Sequence, residues 1–291
     1  MAAAINFGAI PSGLRVRHNW VLRRDKIPVD RYGNSNGWNQ KLFWIHFDEA
    51  IKELGANSKK FDGLGYIVTR DTLREENQVL GGDLDCCRDP LTGWTSPWSS
   101  SILDKLNTYV EVSPSGCGYR FFCYGKLPDG LNDVMGHGPD DLTEEARSHI
   151  IEAKPEIAKK LEKGEPAFNG LEIYEDGPKH LSITGQRLDQ YPSELQHRRD
   201  EILDVIAPYL KQSTNAKAKG NNGDSKTQTG NKLPYLDILR VIDTSEFRLE
   251  GNELVGPDPI IGSTTGSNLK VNPSENVFCS FHNDIKKGGD A

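Results

Sequence analysis

Gly81-Gly82-Asp83-Leu84-Asp85-Cys86-Cys87 is the stretch on which the reading of this chain turns. It has the character of a short buried strand. Side chains alternate along a strand, so Asp83 and Asp85 share one face and Leu84 takes the other. Two like charges on one face repel unless a cation lies between them. Carboxylate oxygens at this spacing suit Mg²⁺ or Mn²⁺, which bind one or two carboxylates and keep room for phosphate oxygens. An Asp-x-Asp also suits a solvated edge strand, so the pair alone leaves both readings open.

The bulk numbers set the frame. The chain has 291 residues, 36% of them hydrophobic and 26% charged, an ordinary balance for a folded protein. A net charge of −7 excludes a surface coated in positive charge, but not a local basic groove. No apolar run has the length of a membrane span, and MAAAINFGAIPSGLRVRHNW has no apolar core of signal-peptide type. The five cysteines include the adjacent Cys86 and Cys87, which do not bridge each other easily. An odd count suits a reducing compartment, so the expected location is cytoplasmic.

Composition divides the chain. Residues 1–211 read as one catalytic unit. Residues 212–233 hold no aromatic and only one large aliphatic, Leu233, at the very end, and read as a polar linker. Residues 234–291 open with a short amphipathic helix, PYLDILRVID, and continue as a Gly/Pro-rich strand-and-turn segment. In the first unit strands are expected at 19–24, 63–69, 82–86, 109–112, 119–124, 170–174 and 180–184. Helices are expected at 44–54, 97–106, 142–163 with a break near Pro155, and 193–210. Strands paired through turns, with helices at irregular intervals, indicate an α+β fold rather than a doubly wound parallel sheet.

Three further stretches carry chemistry. Ser113-Pro-Ser115-Gly116-Cys117-Gly118 joins two strands and offers hydroxyls, backbone N–H groups and close backbone approach, the makings of an anion-binding turn. Arg120 follows on the outgoing strand, where a guanidinium can clamp phosphate. A plain Gly-rich hairpin with a surface Arg fits the same letters. In Leu171-Glu172-Ile173-Tyr174, a Glu between aliphatics is unusual for a strand. Lys179-His180-Leu181-Ser182-Ile183-Thr184 then alternates polar and apolar, directing Lys179 or His180 towards the same region.

Taken together, GGDLDCC, TYVEVSPSGCGYRFFCYGKLP and LEIYEDGPKHLSITG resemble the primase–polymerase domain of the archaeo-eukaryotic primase superfamily. The resemblance is closest to the bifunctional primase/polymerase domains of phages, plasmids and archaeal mobile elements, and it spans about residues 17–190. It implies an RRM-like antiparallel catalytic sheet packed beside a second α/β lobe. It implies DNA-templated addition of NTPs or dNTPs, with Asp83, Asp85 and Glu172 as ligands of two Mg²⁺ or Mn²⁺ ions. By position Ser113, Ser115 and Gly116 match the motif that binds nucleotide phosphates, and Lys179 and His180 match basic or aromatic positions beside it. Many relatives have His where this chain has Arg120, which keeps a phosphate contact and removes a titratable group.

The implied partners are a single-stranded template or primer–template DNA and a helicase, fused or separate. The last segment resembles a zinc-ribbon element in which Cys279 and His282 match the second ligand pair; the first pair is missing, with Asp258 and Ile261 near its place. Two ligands do not close a tetrahedral Zn²⁺ site. The ending Gly288-Gly289-Asp290-Ala291 reads as the middle of an element, so a longer protein is expected. Arg15, Arg17, Arg23, Arg24 and Lys26 are candidates for a DNA-backbone groove or for solvated surface. The helical stretch 144–163 reads as a solvated face or an insertion. The alternatives to polymerisation are a metal-dependent nuclease using the same carboxylates and a non-catalytic origin- or single-strand-binding module.

Overall fold

The structure is a computed structural model. It describes residues 5–71, 74–217, 247–251, 253–257, 269–272, 277–282 and 285–290, with side chains throughout except at 211–217, 272, 277–282 and 285–290. The chain separates into two compact units, residues 1–39 with 43–221, and residues 40–42 with 222–291.

In chain order the first unit contains α1 (Ser12–Arg15), β1 (Trp20–Arg24), β2 (Ile27–Val29), α2 (Phe47–Ala56), β3 (Gly63–Val68) and β4 (Val79–Asp85). There follow α3 (Pro97–Leu106), β5 (Tyr109–Val112), β6 (Tyr119–Tyr124), β7 (Asp133–His137), α4 (Glu144–Ala153) and α5 (Glu156–Glu162). It closes with β8 (Gly170–Tyr174), β9 (Lys179–Ile183) and α6 (Arg199–Lys217). The strands form two antiparallel sheets, one in the order β2-β1-β3-β9 and one in the order β5-β6-β4-β8-β7. The fold is therefore α+β. The strand that carries Asp83 and Asp85 is the centre of the five-stranded sheet.

Local chemistry explains the element ends. Ser96 caps α3 by accepting a hydrogen bond from Ser99 N–H, Pro97 occupies the first turn, and Asn107 ends the helix in the left-handed region at φ 35°. Thr143 caps α4 from Ala146 N–H, and Glu144 and Glu145 complement the helix dipole. Pro155 separates α4 from α5, because a residue before proline is pushed out of the helical region; Lys154 lies at φ −133°, ψ 77°.

The five-stranded sheet is covered on both faces. One face, with Leu80, Leu84, Phe121, Leu171 and Ile173, packs against Leu103 and Leu106 of α3 and Ile202 and Ile206 of α6. Fully burying each such side chain contributes about 1.5–3 kcal/mol. On the other face Tyr109, Phe122 and Tyr174 meet Tyr66, Leu181 and Ile183 of the four-stranded sheet. The glycine pair in β4 serves these contacts. A Cβ on Gly81 would lie 2.6 Å from Val68 and 2.7 Å from Leu181 of the neighbouring sheet. On Gly82 it would lie 2.0 Å from the ring of Phe121, its register partner on β6.

Several expectations move. The closing helix begins at Arg199 rather than residue 193, because Gln196 and Arg198 bond the backbone of Tyr124 at the end of β6. β2 and β7 form where the sequence gives no strand expectation. Arg17 is buried and bonds Asp71, Asn77 O and Gly13 O, and Arg23 is buried against Asp62. Two members of the basic cluster thus hold the fold together, and Arg15, Arg24 and Lys26 stay exposed. Trp20 and Trp44 are core residues.

The second unit contains β10 (Arg248–Glu250), β11 (Glu253–Gly256), β12 (Leu269–Asn272), β13 (Val277–His282) and β14 (Ile285–Asp290). They pair in sequence order as an antiparallel meander around Leu254, Leu269 and Val271. Cys279 and His282 lie on β13, but their side chains fall outside those described, as do Asp258 and Ile261 and the helix expected at 234–243. No described helix is long and apolar enough to cross a membrane.

Candidate active site

Strand register assembles one row of side chains across the five-stranded sheet. Glu111 of β5 pairs with Arg120 of β6, Arg120 with Asp83 of β4, Asp83 with Glu172 of β8, and Glu172 with Met135 of β7. Register partners share a face, with Cβ atoms about 4.5–5.5 Å apart. Asp85, two residues after Asp83, projects from the same face opposite Gly170, which has no side chain. Leu171 and Ile173 are fully buried on the opposite face. The three carboxylates expected to act together therefore share one face of one sheet.

Direct opposition of Asp83 and Glu172 is unfavourable for a sheet, because like charges in a cross-strand pair repel. Each acid has its own compensating donor. Arg120 Nη2 donates to Asp83 Oδ2 at 3.2 Å. Lys154 Nζ donates to both oxygens of Asp85, each at 2.8 Å. The Tyr174 hydroxyl, two residues along the same strand, donates to Glu172. The Asp83 carboxyl is held above the usual range, chiefly by burial; Arg120 opposes this, and Asp85 and Glu172 add to it. Among the described residues no three His, Cys, Asp or Glu side chains already converge on a single point. The donor set is nonetheless that of a hard dication: all oxygen, all anionic and crowded by mutual repulsion.

The register of this pair is fixed at one end. Past Asp85 and before Gly170 the ladder stops at Cys86 and Asn169, both in the left-handed region at φ 53° and 51°. Asn169 N–H donates to Cys86 O at 3.2 Å.

The β5–β6 hairpin turn lies at the same end of the sheet. Gly116 adopts φ 75°, and its N–H donates to Ser113 O at 2.9 Å. Cys117 N–H donates to Ser115 Oγ at 3.3 Å, and Arg88 Nη1 donates to Gly116 O at 2.8 Å. These backbone N–H groups are used within the turn. The hydroxyls of buried Ser113 and half-buried Ser115 lie 3.2 Å apart, bonded to each other. Gly118 is needed for folding rather than for a ligand, since a Cβ there would lie 2.0 Å from Leu84 O.

Lys179 and His180 project from opposite faces of β9. Lys179 lies 5.2 Å over the Tyr174 ring and 3.9 Å from Asp133. His180 packs on Gly65, where a Cβ would meet the ring at 2.2 Å, and its Nε2 is buried without a partner. Burial, then the positive charges of Arg120 and Arg23, push its pKa down to about 3, so the ring is neutral at ordinary pH.

Three contributors were not singled out from the sequence. Arg88 steadies the hairpin turn. Glu111 is fully buried and accepts from Tyr109 OH at 2.8 Å, Thr184 N–H at 2.9 Å and Gly185 N–H at 2.9 Å. With Arg120 Nη1, which donates to Ser182 O at 2.6 Å, it ties the end of β9 in one sheet to β5 and β6 in the other. Its sequence signal, a Glu between two valines, is the same one that drew attention to Glu172. The third is Lys154, from the stretch expected to be a solvated face; its side chain is 13% exposed.

Two grooves lie elsewhere. A groove of about 510 Å³ between Trp98, His137 and Tyr209, and another of about 410 Å³ near Asn6 and Glu194, contain none of the three carboxylates.

No protein-family model matches the chain. Over 229 residues the chain is 25% identical to the DNA Primase-polymerase of Nitratiruptor phage NrS-1, a match that covers 76% of this chain and 25% of that protein. The chain thus spans about a quarter of the length of the curated relative it matches.

Proposed function

We propose that this chain is the nucleotidyl-transfer domain of a DNA primase–polymerase, adding NTPs or dNTPs to a growing strand on a DNA template. The observation that carries the reading is the cross-strand opposition of Asp83 and Glu172, with Asp85 beside them on the central strand. A sheet gains no stability from that arrangement, so it is best explained by a cationic ligand. Similarity to a phage DNA primase–polymerase supports the same assignment.

In this reading Asp83, Asp85 and Glu172 would hold two Mg²⁺ or Mn²⁺ ions. Such ions, when bound, supply activation of a 3′-hydroxyl and neutralisation of charge on the triphosphate. The protein's own groups do the rest. Arg120 orients Asp83 and is a fixed positive charge for a phosphate oxygen. Ser113 and Ser115 offer hydroxyls to the same phosphates. Lys179 borders the nucleotide and neutral His180 supports β9 from its opposite face, and Arg15, Arg24 and Lys26 are the candidates left for template backbone. A helicase, fused or separate, and Zn²⁺ at Cys279 and His282 with further ligands belong to the same proposal.

The test uses purified protein with primed and unprimed single-stranded DNA and labelled nucleotides, in Mg²⁺ and in Mn²⁺. Extension by the parent chain and none above background by D83A/D85A is the expected result. Extension retained by the double variant would sink the assignment. Shortened DNA in place of extended DNA would favour a nuclease.

A further inference from the structure

The arm made of α4 and α5 enters the candidate site with one residue. It has a small core of its own: Ala146, Ile150 and Ile157 pack with Phe168, Cys86 and Cys117. Cys86 directly follows Asp85, and Cys117 lies in the β5–β6 turn. A second tie joins His149 of α4 to buried Asp89, 2.9 Å from Nδ1 to Oδ2. The arm is therefore anchored without Lys154. Pro155 stops the helix at Lys154, which frees that residue from the helical path and lets its side chain turn inward.

The ammonium group spans both oxygens of Asp85, each at 2.8 Å, next to Cys86 in the chain. The turn that carries Ser113 and Ser115 lies at the same end of the sheet, and its Cys117 packs in one cluster with Cys86 and α4. A structural salt bridge accounts for the pairing but not for this position. Asp85 is 43% exposed, in a place where water satisfies a carboxylate at little cost, whereas the lysine is 13% exposed.

We infer that Lys154 is a triphosphate-binding residue, held on Asp85 until divalent ions and nucleotide arrive. The inference rests on the metal-site reading proposed above. Lys154 and Arg120 balance most of the charge of Asp83, Asp85 and Glu172. Two dications on those acids reverse the sign of the site. Lys154 then loses its counter-charge, and a triphosphate between the acids and the serine turn restores it. The lysine competes with metal for Asp85 and, once metal is bound, assists nucleotide.

The two roles predict opposite effects of one substitution, which a loss of packing does not produce. The proteins are the parent chain, K154M, K154R and D83N/D85N. Mn²⁺ binding without nucleotide is followed by electron paramagnetic resonance, and binding of fluorescent N-methylanthraniloyl-dATP with Mg²⁺ by anisotropy. Removing the competing ammonium should tighten Mn²⁺ alone by about tenfold, and losing one charge-assisted contact should weaken the nucleotide by about tenfold. K154R should keep nucleotide affinity within about threefold, since it keeps the charge. A thermal melt of K154M close to that of the parent shows that the fold is intact. Mn²⁺ binding that D83N/D85N abolishes, together with nucleotide affinity unchanged in K154M, overturns the role of Lys154 and leaves the metal site standing. A parent chain that binds no Mn²⁺, or binds it equally well in D83N/D85N, overturns both.

Discussion

Glu111 gives the sharpest test of how the two sheets are held together. Replacing it by alanine removes the acceptor for Thr184 N–H, Gly185 N–H and Tyr109 OH in one step. Glu111 is fully buried, so water does not readily take its place. An unsatisfied buried donor costs about 1–3 kcal/mol, and two backbone N–H groups are left in that state, for about 2–6 kcal/mol. Some of this is returned. Burial pushes the Glu111 carboxyl above its usual range, so the folded chain is relieved of a disfavoured charge. A net loss of about 2–4 kcal/mol is expected, a large part of the 5–15 kcal/mol typical of a domain. Glutamine should recover little, because its amide NH₂ would face one of the N–H donors. Urea unfolding followed by tryptophan fluorescence measures the loss for E111A and E111Q. A loss below about 1 kcal/mol for E111A would refute the claim that these bonds are made in a dry interior.

Further outcomes follow from the buried titratable groups. His180 is held near 3 in the folded chain, against about 6.5 when unfolded, so below 6.5 the unfolded chain binds the extra proton. Its contribution is complete above pH 6.5 and is lost as pH falls towards 3; urea curves at pH 7 and 5 should show H180Q losing about 1–2 kcal/mol less than the parent chain, and equal losses would contradict this. Burial, aided by the Asp85 charge, pushes the Cys86 thiol up to about 12, and burial does the same for Cys123, against Arg198. At pH 8 about one thiol in ten thousand is then ionised. Iodoacetamide mapped by peptide mass spectrometry should leave both unmodified until urea is added, and modification of the folded chain within minutes would contradict the burial.

Much of this architecture was legible from the sequence, for identifiable reasons. The strands at 109–112, 119–124 and 170–174 and the helix at 97–106 match the structure, because alternation, Gly-rich turns and a Ser-Pro cap are local signals. The candidate acids were legible as well, since a charge inside a hydrophobic strand stands out in the sequence. The same signal failed to separate Glu111 from Glu172, because only the tertiary fold decides which carboxylate is sealed between sheets and which stays half-buried. Lys154 was hidden by its surroundings. A charged helical stretch reads as solvated, and nothing local reports that Pro155 turns one lysine inward. β2 and β7 are edge strands, whose partners rather than their own residues define them. The basic cluster near the N-terminus was also ambiguous, because an arginine that braces the interior and one that faces solvent are spelled alike.

The paired left-handed residues at Cys86 and Asn169 have a consequence for how this chain can vary in length. They stop the β4–β8 ladder one step beyond Asp85, with the Asn169 N–H already bonded to Cys86 O. An added or deleted residue at that end would shift β8 by one place and turn Glu172 to the helix-covered face, because side chains alternate. The other end of β8 runs into Glu175-Asp176-Gly177-Pro178, where Gly177 at φ 76° has open space around it. A residue gained or lost there leaves the alignment of Asp83 with Glu172 untouched. Insertions and deletions among sequences built on this plan should therefore collect at the turn before Lys179 and be absent between Asn169 and Glu172.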